Sequence, residues 1–120
     1  MDKVLLINRD VAIIANCTSC LEDAGYAVIA ANSAEAALYL LSRNDEITTI
    51  ITDMHLADMD GLQVISHVNS HYPNLTTILL AGNSCGRKED YASLAKSLGA
   101  DHVLRKPFNP EELIPLLEKR

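Results

Sequence analysis

Residues 47–61 read ITTIITDMHLADMDG, a short apolar run that passes directly into a loop with three aspartates and a closing glycine. Short apolar runs rich in Val and Ile are typical of parallel strands that are covered on both faces. Similar runs occur elsewhere in the chain. The predicted strands are Val4–Ile7, Ala27–Ala31, Ile47–Ile51, Ile78–Ala81 and His102–Leu104.

The segments between these runs have helical periodicity, with apolar residues at the i, i+3, i+4 and i+7 positions. Residues typical of helix ends separate them: Ser33 precedes the second segment, Pro73 follows the third, and Gly25 and Gly99 follow the first and fourth. Strand and helix therefore alternate five times. The sequence predicts an α/β fold, a doubly wound five-stranded parallel sheet of the (βα)5 type with helices on both faces. The predicted apolar helix faces are Ile14, Cys17, Leu21 and Ala24; Ala34, Ala37, Leu38 and Leu41; and Tyr91, Leu94, Ala95 and Leu98.

The last predicted helix contains a conflict. Asn109, Pro110 and Glu112 have the order of a capped helix start, with Asn at N-cap, Pro at N1 and Glu at N3. Pro115 would then lie at the sixth helical position, where proline costs about 3 kcal/mol. Two alternatives stay open: the helix is kinked at Pro115, or it begins later than Pro110.

Composition limits the classes of function. The chain has 120 residues, 48% hydrophobic and 22% charged, with 16 acidic against 10 basic residues and a net charge of −6. This length fits a single domain over residues 1–120, and an acidic chain with few aromatic residues argues against nucleic-acid binding. No apolar run is long enough to span a membrane, and no signal segment opens the chain. The three cysteines, an odd number, argue against a disulfide framework, so the expected location is cytoplasmic.

Polar residues follow the predicted strands at the edge of the sheet where open α/β proteins place their sites. Residues 8–10 (Asn, Arg, Asp) follow the first strand, Asp53 follows the third and Lys106 the fifth. Because adjacent parallel strands lie about 4.8 Å apart, we expect Asp53 and Lys106 to lie close together. A carboxylate that faces a lysine suits an acceptor of a phosphoryl group, since the cation compensates for the charge of roughly −2 that the group adds. The alternative is that Asp53 begins a loop and forms an ordinary ion pair.

Two longer strings resemble the receiver domains of bacterial two-component response regulators. ITDMHLADMDGL at residues 51–62 resembles the phosphoacceptor segment, and LGADHVLRKPF at residues 98–108 resembles the closing segment. The resemblance covers the whole chain and implies a flavodoxin-like sheet with the strand order 2-1-3-4-5. It also implies that Asp53 is the phosphoacceptor, that Lys106 senses the phosphate, and that a cis peptide bond joins Lys106 and Pro107.

The chain departs from the family's pattern at the residues that would hold Mg²⁺. The family has two acids after its first strand, whereas Asn8 and Arg9 stand at these positions here. A guanidinium supplies no oxygen ligand, and Mg²⁺ requires oxygen ligands. The resemblance therefore implies weak or absent Mg²⁺ binding, with Asp10, Asp53 and the backbone carbonyl of His55 as the ligands if the ion binds. No other cofactor is expected.

Three further positions differ from the family's pattern. Ala81 replaces the hydroxyl residue after the fourth strand, and Asn83 or Ser84 would substitute for it only in a rearranged loop. Val103 replaces the aromatic switch residue, and Ala57 replaces a loop proline. The chain is therefore interpreted as a degenerate, or pseudo-, receiver.

Arg9 is the basis of a hypothesis for such a receiver. A guanidinium in the space of the missing Mg²⁺ would pair with Asp53 and hold the loop in one state without phosphorylation. The alternative is that Arg9 points to solvent. Phosphorylation of Asp53 remains compatible with either pose, and we expect it to be slow and little dependent on Mg²⁺.

The expected function is that of a signalling module rather than an enzyme. Its expected partners are a histidine kinase or phosphotransfer protein and an output domain or protein, contacted through residues 88–98, 102–105 and 110–119. One rival is a conventionally phosphorylated receiver that uses Asp10 together with Asp53. A rival from another class is a small flavodoxin-like enzyme, which needs a phosphate-binding loop that residues 8–11 do not supply.

Three other groupings favour structural roles. Cys17 and Cys20 have C-x-x-C spacing but lie inside the first predicted helix, so buried structural cysteine is favoured over a redox pair. His67 and His71 are spaced i, i+4 without the Glu of a zinc-protease motif, which favours solvated histidines. The three aspartates of residues 53–60 lack the closing Glu of a calcium loop, which favours a solvated loop.

Overall fold

The computed structural model describes residues 2–82 and 99–118, which form a parallel sheet in the strand order β2-β1-β3-β4-β5. The elements in chain order are β1 Lys3–Ile7, α1 Val11–Asp23, β2 Ala27–Ala31, α2 Ala34–Arg43, β3 Ile47–Asp53, α3 Gly61–His71, β4 Thr76–Ala81, β5 His102–Arg105, a 3₁₀ turn Pro110–Glu112 and α4 Leu113–Glu118. The predicted doubly wound, flavodoxin-like sheet and its strand order are confirmed. Asn83, Ser84, Cys85 and the predicted helix over residues 88–98 lie outside the described residues, as does residue 119.

The central strands are buried, as their apolar composition predicts. Four residues of β1 and all six of β4 are buried, and β3 is buried from Thr49 to Asp53. The edge strands β2 and β5 are mostly half-buried. Both β3 and β4 are longer than the apolar runs that predicted them, because β-branched threonines such as Thr52 and Thr77 extend the pairing.

The core lies in two layers, one on each face of the sheet. Side chains alternate along a strand, so Leu5 and Ile7 of β1 point to one layer while Val4 and Leu6 point to the other. The first layer is completed by residues of α2 and α3, and the second by residues of α1 and α4. The buried helix residues are Ala34, Ala37, Leu41, Val64 and Val68 in the first layer and Cys17, Leu21, Leu113 and Leu117 in the second.

The position of Pro115 is explained by a late helix start. A 3₁₀ turn occupies Pro110–Glu112, and α4 begins at Leu113, so Pro115 lies in its first turn. Backbone N–H groups in a first turn have no partner within the helix, and proline is tolerated there. The carboxylate of Glu112 accepts a hydrogen bond from the N–H of Asn109 at 2.7 Å, as expected for a capped start. Of the two alternatives for this segment, the later start is correct.

The predicted helix ends at Gly25, Ser33 and Pro73 are also confirmed, whereas the helix that Gly99 was predicted to follow lies outside the described residues. The Ser33 hydroxyl accepts a hydrogen bond from the N–H of Ala36 at 3.1 Å and caps α2. Pro73 comes after the C-cap residue Tyr72 of α3. Gly25 and Gly99 have φ angles of 98° and 104°, the left-handed conformation that favours glycine.

Candidate functional site

Asp53 and Lys106 meet at the carboxyl end of the sheet. Asp53 ends β3 with 5% of its surface exposed, and its Oδ1 forms an ion pair with the Nζ of Lys106. Its Oδ2 accepts a hydrogen bond from the N–H of His55 at 3.2 Å. The N–H of Lys106 donates to the carbonyl oxygen of Ala81 at 2.8 Å, which holds the lysine beside β4. The expected proximity of the two charged side chains is observed, and the Lys106–Pro107 bond is cis as the resemblance implied.

The two side chains of the ion pair differ in their exposure to solvent. The Asp53 side chain is 8% exposed, whereas the Lys106 side chain keeps 30% of its surface exposed. A buried carboxylate loses hydration and requires a compensating charge, which the lysine supplies from the solvent side. The buried Asp53 side chain is thus in contact with a cation.

Gly61 brings α3 up to the end of β3. Its N–H donates to the carbonyl oxygen of Met54 at 2.7 Å. A Cβ at this position would lie 2.3 Å from the carbonyl oxygen of Asp53 and 2.9 Å from a methyl carbon of Leu79. The glycine of the Met-Asp-Gly string is therefore required by a close backbone approach next to Asp53.

Three aspartates around the site each bind the N-terminal end of a different helix. Asp10 caps α1, because its Oδ1 accepts from the N–H of Ala12 at 2.9 Å. Asp60 caps α3 in a capping box with Gln63, in which each side chain accepts from the other residue's N–H, at 2.9 and 3.1 Å. The Asp58 side chain accepts hydrogen bonds from the N-terminal end of α2.

Asp58 joins the loop after β3 to the start of α2. Its two carboxylate oxygens accept from the N–H groups of Ala34 at 3.0 Å and Glu35 at 2.8 Å. These hydrogen bonds, that of Ala34 first, lower the pKa of the Asp58 carboxyl below its ordinary value. The sequence predicted a solvated loop here; the side chain is exposed but bound. The partners lie 24 and 23 residues away in sequence, so no local pattern indicated the contact.

Asn8 lies beside Asp53. Ile7 pairs with Thr52, so the residues that follow, Asn8 and Asp53, end adjacent strands side by side. Asn8 is 2% exposed, and its Oδ1 accepts from the N–H of Asp10 at 2.8 Å. Its Nδ2 is buried and has no hydrogen-bond partner among residues 2–82 and 99–118.

Arg9 does not occupy the position that the pairing hypothesis required. Its side chain is exposed, and no ion pair joins it to Asp53 in the described part of the chain. Lys106 supplies the cation for Asp53 instead. The expectation of an Arg9–Asp53 pair is therefore wrong for this structure, and the alternative, an arginine directed to solvent, is the one observed.

The residues present do not fit a Mg²⁺ ion. The unpartnered buried atom next to Asp53 is the amide nitrogen of Asn8, a hydrogen-bond donor that cannot ligate a cation. The carboxylate of Asp10 accepts helix N–H groups, and Arg9 carries a positive charge. Searched over residues 2–82 and 99–118, the chain has no group of three or more His, Cys, Asp or Glu side chains that could hold a metal ion.

Two of the three further departures from the family's pattern, Ala81 and Val103, lie at the end of β4 and within β5, where the sequence predicted them. Ala81 ends β4 and is 6% exposed, so a methyl group stands in place of a hydroxyl. Val103 lies in β5 and is half-buried against an apolar cluster that includes Leu79 and Ala100. The substitute residues Asn83 and Ser84 belong to the segment that the structure does not describe.

Asp101 has a structural role that the sequence did not indicate. Its Oδ2 accepts from the N–H of Thr77 at 2.9 Å, and its N–H donates to the carbonyl oxygen of Thr77 at 3.0 Å. The Thr77 hydroxyl in turn donates to the carbonyl oxygen of Gly99 at 2.9 Å. The Gly-Ala-Asp string thus attaches the start of β5 to β4 and helps to position Lys106.

The remaining groupings have the structural roles that were expected. Cys17 is buried, and burial raises the pKa of its thiol to about 11, which makes it unreactive at neutral pH. His67 and His71 are exposed at the end of α3 with stacked rings 4.2 Å apart. No helix within residues 2–82 and 99–118 has the length and apolar character to cross a membrane.

Comparison with known proteins identifies the class. The fold is shared with signal receiver domains, and the chain belongs to the response regulator receiver domain family, whose model matches residues 4–118. The response regulator protein FleR of Pseudomonas aeruginosa is 32% identical over 117 residues, which cover 98% of this chain and 24% of that protein. The response regulator SaeR of Staphylococcus aureus is 26% identical over 95% of this chain and 48% of that protein. The chain thus spans between a quarter and a half of the length of these relatives.

Solved structures agree with this family. A response regulator receiver domain protein from Clostridium thermocellum has a TM-score of 0.86 and 30% identity, covering 94% of this chain and 88% of that one. The chemotaxis response regulator CheY4 of Vibrio cholerae has a TM-score of 0.84 and 29% identity, covering 98% and 97%. The chain is therefore a response regulator receiver domain of two-component signalling.

Proposed function

We propose that this chain is a phosphoacceptor module that works with little or no Mg²⁺, with Asp53 as the acceptor and Lys106 as the phosphate-sensing residue. The observation that carries the proposal is the ion pair between the buried Asp53 and the partly exposed Lys106, beside Asn8. It combines a carboxylate and a cation with a neutral neighbour whose amide oxygen already accepts a hydrogen bond from the Asp10 N–H and whose free atom, Nδ2, cannot ligate a metal. The domain comprises residues 1–120.

The chemistry is a phosphoryl transfer to a carboxylate. An Asp53 oxygen attacks the phosphorus of an acyl phosphate or phosphohistidine donor, the bond from phosphorus to the donor's oxygen or nitrogen breaks, and the donor group leaves with that electron pair. The acyl phosphate that forms on Asp53 carries added negative charge. Lys106 is already within contact and stabilises that charge, while the exposed Arg9 adds positive potential at the rim.

Weak Mg²⁺ dependence follows from the same residues. The usual acid pair would draw a divalent cation to the site, whereas Asn8 contributes no charge and Arg9 repels cations. Without the ion, the transition state has fewer positive charges to stabilise it, and transfer is slow. We therefore expect a slow acceptor whose rate is insensitive to Mg²⁺.

The signal leaves the domain through contacts between proteins. We propose a histidine kinase or phosphotransfer protein as the phosphoryl donor and an output domain or protein as the receiver of the signal, in the cytoplasm. The surface of β5 and the segment from the 3₁₀ turn through α4, part of the predicted output face, is half-buried to exposed at His102–Arg105 and at Pro110, Glu111 and Ile114. Binding to nucleic acid or membrane by this domain is not part of the proposal.

The test is labelling of Asp53 by acetyl phosphate, followed by intact mass, in excess Mg²⁺ and in EDTA. We expect slow addition of one phosphoryl group at similar rates in both conditions, and none in Asp53→Asn. Asp58→Asn serves as a control that keeps the acceptor. Rapid labelling that requires Mg²⁺ would support the conventional receiver instead, and no labelling of the wild type in either condition would refute phosphoacceptor function.

A further inference from the structure

We infer that Asn8 is a binding residue for an oxyanion held at Asp53, and that its amide Nδ2 donates a hydrogen bond to one oxygen of that group. The inference rests on the proposed function, since the oxyanion is the phosphoryl group that Asp53 would carry. According to this inference, the pocket binds an oxyanion without a metal ion, whereas the pair of acids in other receivers binds a cation.

The first observation is the unsatisfied state of a buried amide. Nδ2 of Asn8 is inaccessible to solvent and lacks a hydrogen-bond partner within the described residues. A buried donor without an acceptor costs about 1–3 kcal/mol, and native proteins rarely retain one without a purpose. The missing partner is an acceptor oxygen.

The second observation fixes which end of the amide is free. Oδ1 accepts from the N–H of Asp10 at 2.8 Å, next to the cap of α1, so the side chain cannot be turned over without losing that hydrogen bond. Nδ2 is therefore the free end of the amide. The register of β1 and β3, in which Ile7 pairs with Thr52, places Asn8 beside Asp53.

The third observation is the balance of charge. Asp53 is already compensated by Lys106, and Arg9 next to Asn8 is a further cation. An aspartate at position 8 would repel an incoming oxyanion, whereas a neutral amide attracts it through its N–H. The site thus offers an ammonium and an amide donor to the oxygens of a tetrahedral group, in the manner of a preorganised oxyanion hole. The Asn8 amide also supplies a hydrogen bond to the oxyanion, which the methyl group of Ala81 cannot donate.

The experiment uses beryllofluoride, a phosphoryl mimic, in EDTA, with binding followed by NMR of the ¹⁵N-labelled chain. Asn8→Asp is the informative variant because it keeps an oxygen for the Asp10 N–H, while it removes the donor and adds a negative charge beside Asp53. Asn32→Asp is the matched control: it makes the same change one strand over, at an exposed residue that follows β2 as Asn8 follows β1. We expect Asn8→Asp to weaken binding about 10-fold or more, as for loss of one charge-assisted hydrogen bond. Asn32→Asp should leave the affinity within about twofold, because exposed charges are screened.

Each result decides a different claim. Equal affinity of the wild type and Asn8→Asp would overturn the role of Asn8 and leave phosphorylation of Asp53 standing. Binding to the wild type only when Mg²⁺ is present would overturn the metal-free pocket. Failure of the wild type to bind in either condition would overturn the proposed function as well. Should Asn8→Asp not fold, the side-chain NH₂ resonances of Asn8 in the wild type decide: a shift on beryllofluoride binding supports the inference, and unchanged resonances contradict it.

Discussion

At the scale of single residues, the site is determined by small differences in donor and acceptor chemistry. Asn8 has the shape of the aspartate that the family places there, yet it presents an N–H where a carboxylate would present an oxygen. Lys106 rather than Arg9 compensates the charge of Asp53. Because the change at position 8 alters charge and hydrogen bonding but little volume, the sheet retains its geometry, and we expect the ion preference of the pocket to change.

Gly61 gives a prediction at the same scale. We expect Gly61→Ala to lower the free energy of unfolding by about 3 kcal/mol, because the new methyl group meets the backbone oxygen of Asp53 at 2.3 Å, and backbone does not move aside cheaply. Gly25→Ala is the comparison: nothing lies within 4 Å of its Cβ position, and only the positive φ opposes it, at about 1–2 kcal/mol. Urea denaturation of both variants measures the difference. Equal losses of unfolding free energy in the two variants would show that the contact with the Asp53 carbonyl oxygen is not what destabilises Gly61→Ala.

At the scale of elements, the acids near the site anchor helices. Asp10, Asp60 and Asp58 bind the N-terminal ends of α1, α3 and α2, where unpaired N–H groups and the helix dipole favour a carboxylate. The loop that follows Asp53 is therefore attached to two different helices.

Asp58 makes stability depend on pH in a defined direction. Its pKa is lowered by the N–H groups of Ala34 and Glu35, so the stabilisation is complete above the ordinary value of 3.8 and is lost as the pH falls through the lower, folded-state pKa. Asp58→Asn removes the charge at every pH. We expect the melting temperature of this variant to lie below that of the wild type at neutral pH and the gap to narrow in acid. Asp45→Asn, at an exposed residue after α2, controls for a general charge effect. A gap that does not change with pH would contradict the prediction.

The late start of α4 predicts that Pro115 is nearly neutral to stability. Because Pro115 lies in the first turn, Pro115→Ala should change the free energy of unfolding by less than about 1 kcal/mol. Ala15→Pro, in the interior of α1, provides the contrast and should cost about 3 kcal/mol or more. Chemical denaturation measures both. A gain of about 3 kcal/mol in Pro115→Ala would mean that the proline disrupts a helix interior.

At the scale of the whole molecule, the chain is acidic, whereas the side chain that contacts Asp53 is basic. The chain carries a net charge of −6, yet Asp53 forms an ion pair with a lysine and lies beside a neutral amide. The acids closest to the site in sequence cap helices. An acidic surface therefore does not imply a cation site.

The fold was predictable to a greater extent than the site. Apolar runs located the strands, the spacing of parallel strands predicted that Asp53 and Lys106 lie close together, and the resemblance supplied the strand order. The pose of Arg9 was not predictable, because sequence does not indicate which of two nearby cations pairs with a buried acid. The bond from Asp58 to α2 and that from Asp101 to Thr77 each span 24 residues, so tertiary packing alone brings the partners together. The start of α4 was ambiguous because Pro110 and Pro115 both fit a first turn.

The most direct test of the central claim, that this pocket does not select Mg²⁺, is a titration of the ¹⁵N-labelled chain with Mg²⁺ at millimolar concentrations. We predict no saturable shift of the Asp53 and His55 amide resonances in the wild type. The double variant N8D/R9D, which restores two acids after β1, should gain one, because it returns carboxylate ligands to the site. Saturable shifts at Asp53 and His55 in the wild type, matching those of the double variant, would contradict the account.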